Sequence, residues 1–278
     1  MDDDIEAARH WFAEDLRAVV PVRDNRMVDA FATVPRERFL GPGPWQLRSR
    51  TDLTRMHESP DADPRWVYHD TLVTIDAEAG INNGLPSLWA GVFDALAVSP
   101  GETVLQVGAG TGYYTAILAE LVAPGGSVIG YEVEADLAAR ARLALADREG
   151  VEIVTGDATA GDVPAFDVGV VCAGVTHVPP AWLAQLRPGG RMVLPVTGAR
   201  GWGFLMHLSW GAEGWPVRSL GPCGFYHCAG ARRDDEAAAW DEALGRGWSE
   251  AGIYRVRAVP SGVEPLVAGA GWWIEADG

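Results

Sequence analysis

From Glu102 to Val196 the chain alternates short apolar runs with segments of helical character, and few folds satisfy that pattern. The runs are TVLQV at 103–107, SVIGYE at 127–132, VEIVT at 151–155, FDVGVVCA at 166–173 and RMVLPV at 191–196. Helices are predicted between them: one beginning near Gly112, one from Glu134 to Arg148, and one around Pro180 to Leu186. Strands apolar throughout are buried on both faces, and strands that alternate with helices pair in parallel. In the helix after the second run, Leu137, Ala141, Ala144 and Leu145 share a face and Gly150 is a natural stop. The pattern predicts an α/β, Rossmann-like fold, its doubly wound and mostly parallel sheet centred on Val104 to Pro195.

The flanks read differently. Ile5, Ala8, Phe12, Leu16 and Val19 give an apolar face to a helix from about Asp3 to Val20, which Pro21 ends. A short helix from Asn25 to Thr33 leads into VPRERFLGPGPW and a polar, turn-rich stretch to Arg65. After Pro195 the segments GFLMHLSW, PVRSL, GFYHCA, IYRVRAV and GWWIEA read as strands, with a helix from about Asp234 to Leu244. The organisation expected is a helical and loop cap over residues 1–80, a core over 81–200, and a strand-rich extension over 201–278 that completes or extends the sheet.

Composition narrows the function classes. All 22 basic residues are arginine, and against 38 acidic ones they leave a formal net charge of −16, which disfavours long-range attraction to nucleic acid or an anionic membrane. The start, MDDDIEAARH, is acidic where a secretory signal is basic, and no apolar run reaches the roughly 18 residues that span a bilayer, so the expected location is cytoplasmic. Cys172, Cys223 and Cys228 have no disulfide-framework spacing. Cys223, His227 and Cys228 lack a second ligand pair at zinc-finger spacing, so no metal is expected.

The most informative element is VLQVGAGTGYYTAILAEL, an apolar strand followed by Gly108, Gly110 and Gly112 and then a helix. Glycines there let the backbone turn sharply and approach a ligand at the carboxyl edge of a parallel sheet. A dinucleotide fingerprint wants glycine at 113, where this chain has Tyr113; the GxGxG spacing suits a nucleoside with an amino-acid tail better than a pyrophosphate. Glu132 ends the next strand, where a carboxylate accepts hydrogen bonds from both hydroxyls of a ribose. Gly156, Asp157 and Ala158 follow the third, where an acid can read an adenine amino group. Either acid taken alone reads as a cap or turn residue; together, at consecutive strand ends, they read as a site. The candidate cofactor contacts are Gln106, Gly108, Ala109, Gly110, Thr111, Gly112, Tyr113, Glu132, Asp157 and Ala158.

GAGTGYYTAILAEL, Glu132, the Gly156–Asp157 pair, AWLAQLRPGGRMVLPV and the earlier VPRERF together resemble the protein-L-isoaspartate (D-aspartate) O-methyltransferase family, from about Met27 to Val196. The resemblance implies a seven-stranded methyltransferase sheet and S-adenosylmethionine (SAM) as cofactor, held at Gly108, Gly110, Glu132 and Asp157. Gln106 stands where the family carries an acid. Asn82, Asn83 and Gly84, ahead of Pro86, stand where it carries a hydroxyl-bearing TIS segment, and Tyr68 and Asp70 match its tyrosine and aspartate.

Asn82 and Asn83 are candidate catalytic residues, since two carboxamides can donate to a carboxylate or to the methionine tail of SAM; the alternative is a tight turn before a helix. His177, in CAGVTHVPPAW, is a candidate base for a hydroxyl or amine acceptor, against a packed or solvated histidine. Twelve tryptophans, among them Trp182, Trp202, Trp210, Trp215, Trp272 and Trp273, are core or interface filler, or the wall of a flat substrate's site. The leading reading is O-methylation of a carboxylate on an aspartyl-type acceptor in a peptide or protein. A small-molecule methyltransferase of secondary metabolism and a SAM-binding protein without chemistry are the alternatives.

Overall fold

A computed structural model describes all residues except 1, 50, 51, 53, 246–253, 259–261, 263, 270, 271, 277 and 278. The chain divides into two compact units, Met1–Gly101 with Ala109–Val128 and Glu134–Ile153, and Glu102–Gly108 with Ile129–Val133 and Val154–Gly278.

The first unit holds helices α1 (Asp2–Val19), α2 (Asn25–Thr33), α3 (Pro86–Leu96), α4 (Tyr113–Val122) and α5 (Ala135–Ala144). Its small sheet has the order β2-β1-β3-β4, formed by β1 (Gln46–Arg48), β2 (Met56–Glu58), β3 (Leu72–Asp76) and β4 (Ile81–Asn82). Sequence periodicity predicted α1 from its apolar face, which is buried at Phe12 and Leu16, and the short helix expected from Asn25 to Thr33 is α2, which buries Met27, Val28 and Phe31. Strands β1 and β2 fall in the stretch expected to be irregular. Each is three residues long; β2 is exposed throughout, and β1 alternates about a single buried residue, Leu47, too short a run to mark a strand in the sequence.

A larger sheet has the order β13-β14-β12-β11-β10-β9-β8-β5-β6-β7. Its members are β5 (Thr103–Val107), β6 (Ser127–Glu132), β7 (Val151–Thr155), β8 (Phe166–Val171), β9 (Leu186–Thr197), β10 (Trp202–Ser209), β11 (Trp215–Gly224), β12 (Tyr254–Arg257), β13 (Val267–Gly269) and β14 (Trp272–Ala276). Pairs β5–β8 and β8–β9 are parallel, while β9–β10, β10–β11, β11–β12, β12–β14 and β13–β14 are antiparallel. The fold is therefore α/β with a mixed sheet of ten strands, larger than the seven that the resemblance implied, because the extension adds hairpins at one edge.

Helices α6 (Pro180–Gln185) and α7 (Asp234–Gly245) complete the second unit. Its core is continuous from Phe166 and Trp182 through Met192, Leu194 and Phe204 to Trp240 and Trp272. GFYHCA is not a strand. Apart from a single bridge between Gly174 and His227, residues 225–229 are irregular, because their main chain bonds to the loop after β8 instead of to a neighbouring strand. No helix among the described residues is long and apolar enough to cross a membrane.

Between β8 and β9, Gly169 lies opposite Met192, and a Cβ on it would stand 2.6 Å from the Cβ of Met192 and 3.1 Å from the Phe166 ring. Gly169→Ala is expected to destabilise the fold by about 1–3 kcal/mol through overpacking. Urea unfolding checks this, an unchanged midpoint showing that the two strands can part here.

Candidate functional site

Backbone hydrogen bonds hold neighbouring strand ends of the second unit level. Gly108 N–H donates to the Tyr131 carbonyl at 2.8 Å, Gly156 to Glu132 at 2.9 Å and Cys172 to Val107 at 2.7 Å, tying together the ends of β5, β6, β7 and β8. Gly108, at φ +82, comes so close to the loop after β8 that an added Cβ would lie 3.3 Å from the Cβ of Cys172. Glu132 ends β6 in a buried position, and Asp157 follows β7. The row thus aligns Gly108, Glu132 and Asp157, all three predicted from sequence.

Below the row, Gln106 is buried and gives one amide hydrogen to Cys172 Sγ at 3.7 Å. Burial pushes the Cys172 thiol up to about 12, so it is neutral. Ala158 is buried and its carbonyl accepts from Trp182 Nε1 at 3.0 Å, which anchors the backbone beyond Asp157 to the core. Asp157 is held in a turn by Thr159, whose N–H and hydroxyl both donate to Oδ1 at 2.8 Å.

The irregular segment 225–231 closes against this same acid. Gly174 N–H donates to Tyr226 O at 2.6 Å, Cys228 N–H to Gly174 O at 2.9 Å, and Thr176 N–H to Ala231 O at 3.0 Å, so the segment runs as a strap beside the loop after β8. At its tip Gly230, φ +76, touches the Asp157 turn: a Cβ there would stand 2.2 Å from Asp157 Oδ2 and 1.9 Å from Thr159 Oγ1. Only glycine fits. The loop after β8 continues to His177, whose Nδ1 lies 2.7 Å from Oε2 of Glu236 on α7.

The rest of the glycine turn belongs to the first unit. Nothing lies within 4 Å of where a Cβ on Gly110 would stand, whereas one on Gly112 would meet Leu145 at 2.8 Å, so the first glycine keeps space open and the second lets α4 pack on α5. Ala109 and Thr111 are buried beside them. The Tyr113 ring is buried against Phe31 and Phe39, with the Arg36 guanidinium 5.8 Å from its centroid. Burial raises its hydroxyl far above the usual tyrosine range. Tyr114 donates its hydroxyl to the Gly84 carbonyl at 3.1 Å, linking α4 to the asparagine segment.

That segment is a turn, and it is also a presented carboxamide. Asn82 Oδ1 accepts from Gly84 N–H at 2.8 Å, and Gly84, φ +78, has no room for a Cβ beside Trp89 Nε1 at 2.6 Å. Asn83 is held by Arg36, whose Nη2 donates to its Oδ1 at 2.7 Å. An arginine can only donate, so the Asn83 oxygen faces Arg36 and its NH₂ faces away. Arg36 is itself buried, and its other donations go to the carbonyls of Val67, His69 and Thr71 at 2.7–2.9 Å. Tyr68 donates to Glu37, and Asp70 accepts from Ser87 N–H in the first turn of α3 at 2.9 Å, so both brace the neighbourhood of the turn.

Sequence reasoning missed Arg36, Tyr114, Gly230 and Glu236 as partners of these groups. Arg36 lay inside the VPRERF segment and Tyr114 inside the glycine motif, but nothing in spacing reveals which side chain a buried guanidinium will hold. Gly230 and Glu236 are 73 and 59 residues from the groups they touch, as 230 − 157 and 236 − 177.

The sequence profile of the protein-L-isoaspartate(D-aspartate) O-methyltransferase family matches residues 9–207. A protein-L-isoaspartate O-methyltransferase from Methanopyrus kandleri is 37% identical over 195 residues, 68% of this chain and 76% of that one. One from Ignicoccus hospitalis is 33% identical over 225 residues, 80% of this chain and 97% of that one. A solved protein-L-isoaspartate O-methyltransferase structure superposes with a TM-score of 0.68 at 22% identity, covering 85% of this chain and 69% of its own.

Replacing Arg36 by Met would leave Val67 O, His69 O, Thr71 O and Asn83 Oδ1 without their donor. A loss of at least about 3 kcal/mol is expected, since each buried unpaired acceptor costs roughly 1–3 kcal/mol. Chemical denaturation checks it, and a loss below about 1 kcal/mol would mean that water replaces the guanidinium.

Proposed function

The chain belongs to the protein-L-isoaspartate(D-aspartate) O-methyltransferase family and is a SAM-dependent methyltransferase; on that premise we propose that its acceptor is a carboxylate of an aspartyl-type residue in a peptide or protein. The observation that carries the cofactor assignment is the level row of Gly108, Glu132 and Asp157. The donor set fits an adenosine: a buried carboxylate for two ribose hydroxyls, a second acid one strand over, and open space beside Gly156, where an added Cβ would meet nothing within 4 Å.

In this reading Glu132 accepts from the ribose and Asp157 accepts from the adenine amino group, while Ala158 frames the base. Gly108, Ala109, Gly110, Thr111 and Gly112 bring main chain to the amino-acid tail. Within the second unit Gln106 lies two residues before Gly108, bonded to Cys172, and within the first Tyr113 follows Gly112, packed among Phe31 and Phe39. Bound SAM supplies a methyl group on a sulfonium, which a carboxylate attacks without help from a base. The residues therefore have to hold the nucleophile in line and keep water away. Asn83 suits the first task, because Arg36 turns its two N–H donors outward to a carboxylate, and Asn82 shapes the turn that carries it.

Turnover is tested with SAM and two peptides, one isoaspartyl and one aspartyl, following base-labile methyl incorporation. Ester formation on either supports the reading; methyl transfer confined to base-stable products would end it. Glu132→Ala is expected to weaken S-adenosylhomocysteine binding roughly 10- to 100-fold, the loss of hydrogen bonds to a charged group of about 1.5–3 kcal/mol. Gly230→Ala is expected to weaken the same binding by about tenfold or more by displacing Asp157. Calorimetric titration reads both, and unchanged affinity in either variant would remove that residue from the cofactor site.

A further inference from the structure

Carboxylate methylation leaves one arrangement without a task. Glu236, in the first turn of α7, is 3% exposed, yet its carboxylate collects three donors: Thr176 Oγ1 at 2.6 Å, His177 Nδ1 at 2.7 Å and Trp272 Nε1 at 3.0 Å. Burial pushes this carboxyl up, but the bonds from Thr176, Trp272 and His177 outweigh it and hold the group below the usual range, as an anion. The other charged group facing it is Arg233, whose Nε lies 3.8 Å from Oε1 and which also pairs with Asp235. Thr176 is fixed in turn by Trp240 Nε1, which donates to its carbonyl at 2.8 Å, and by Arg233 N–H, which donates to its hydroxyl at 3.0 Å.

The consequence falls on His177. With Nδ1–H directed at a fixed carboxylate, the ring is locked in one tautomer and Nε2 is left to accept a proton. Nε2 has no hydrogen bond among the described residues and is not sealed from solvent. The histidine sits five residues beyond Cys172, on the loop that leaves the carboxyl edge of β8 beside Gly108.

We propose that His177 and Glu236 form a proton-accepting pair through which this chain also methylates a phenolic hydroxyl. His177 is the catalytic base and Glu236 its positioning residue. A carboxylate is already ionised near neutrality and gains nothing from a base, whereas a phenol is ionised to only about one part in a thousand at pH 7. Histidine is the side chain used most often as a general base, and a phenol is acidic enough to yield its proton to one, whereas an aliphatic alcohol is not. In the step, the phenol O–H bond breaks toward His177 Nε2 as the oxygen bonds to the methyl carbon. The carbon–sulfur electron pair stays on sulfur, discharging the sulfonium, and the imidazolium held by Glu236 returns its proton to water. This inference rests on SAM-dependent transfer and is independent of the carboxylate reading.

The test uses the full chain with SAM and two probes: 4-methylphenol, and a nitrophenol already ionised at the assay pH. Wild type is expected to give base-stable methyl ethers from both. His177→Ala should lower kcat on 4-methylphenol by about 10²–10³ and on the nitrophenol by less than about fivefold, with KM for each within about threefold. Added imidazole should restore turnover of 4-methylphenol. Glu236→Gln should fall between, and Glu236→Asp should recover part of the loss. Without cofactor or acceptor, imidazole ¹⁵N signals should report a single Nδ1–H tautomer in wild type and a mixture in Glu236→Gln. No ether from either probe, equal losses on both, or a tautomer that ignores Glu236 would overturn the proposal. Ester formation on the aspartyl-type peptides, measured alongside, reports on the carboxylate reading separately.

Discussion

Main-chain hydrogen bonds from Gly108 to Tyr131, from Gly156 to Glu132 and from Cys172 to Val107 set the ends of adjacent strands at one level, and Glu132 and Asp157 inherit their places from that row. Parallel strands all present their carboxyl ends on the same side, so side chains that follow them converge without any long-range design. Glu132 and Asp157 are neighbours for this reason, although 25 residues separate them, as 157 − 132. Slipping one strand by a residue would turn its acid to the opposite face of the sheet.

Two buried charges show how the chain fixes groups that spacing leaves loose. Arg36 is enclosed by Phe12 and Tyr113, and because it has only donors it decides which end of the Asn83 amide faces outward. Glu236 has only acceptors when ionised, and it decides which nitrogen of His177 carries a proton. Each is expensive to bury, and each is satisfied on several sides, which is the condition under which an internal charge makes a local structure unique instead of unstable.

How far the sequence could be read follows from the range of the forces involved. Strands β5, β6 and β7 match their sequence limits because apolar runs bounded by glycine and acid have one way to sit in a buried sheet. Helix α7, expected from Asp234 to Leu244, ends at Gly245. The exposed β2 carried no pattern to read, the three residues of β1 were too few for their alternation about Leu47 to register, and GFYHCA, with apolar residues of strand type, was drawn out of a ladder by the loop after β8. At the site, glycines and acids were legible since each occupies a strand end. The partners that orient side chains were not, since Arg36 finds Asn83 and Glu236 finds His177 only after tertiary packing.

Likeness to the family profile ends at residue 207, while Gly230 and Glu236, which touch Asp157 and His177, lie past that limit. The acid and the histidine thus lie inside the matched residues, and the groups that fix them lie beyond. A residue inserted or removed between 207 and 230 would therefore shift both supports at once while leaving every matched residue in place.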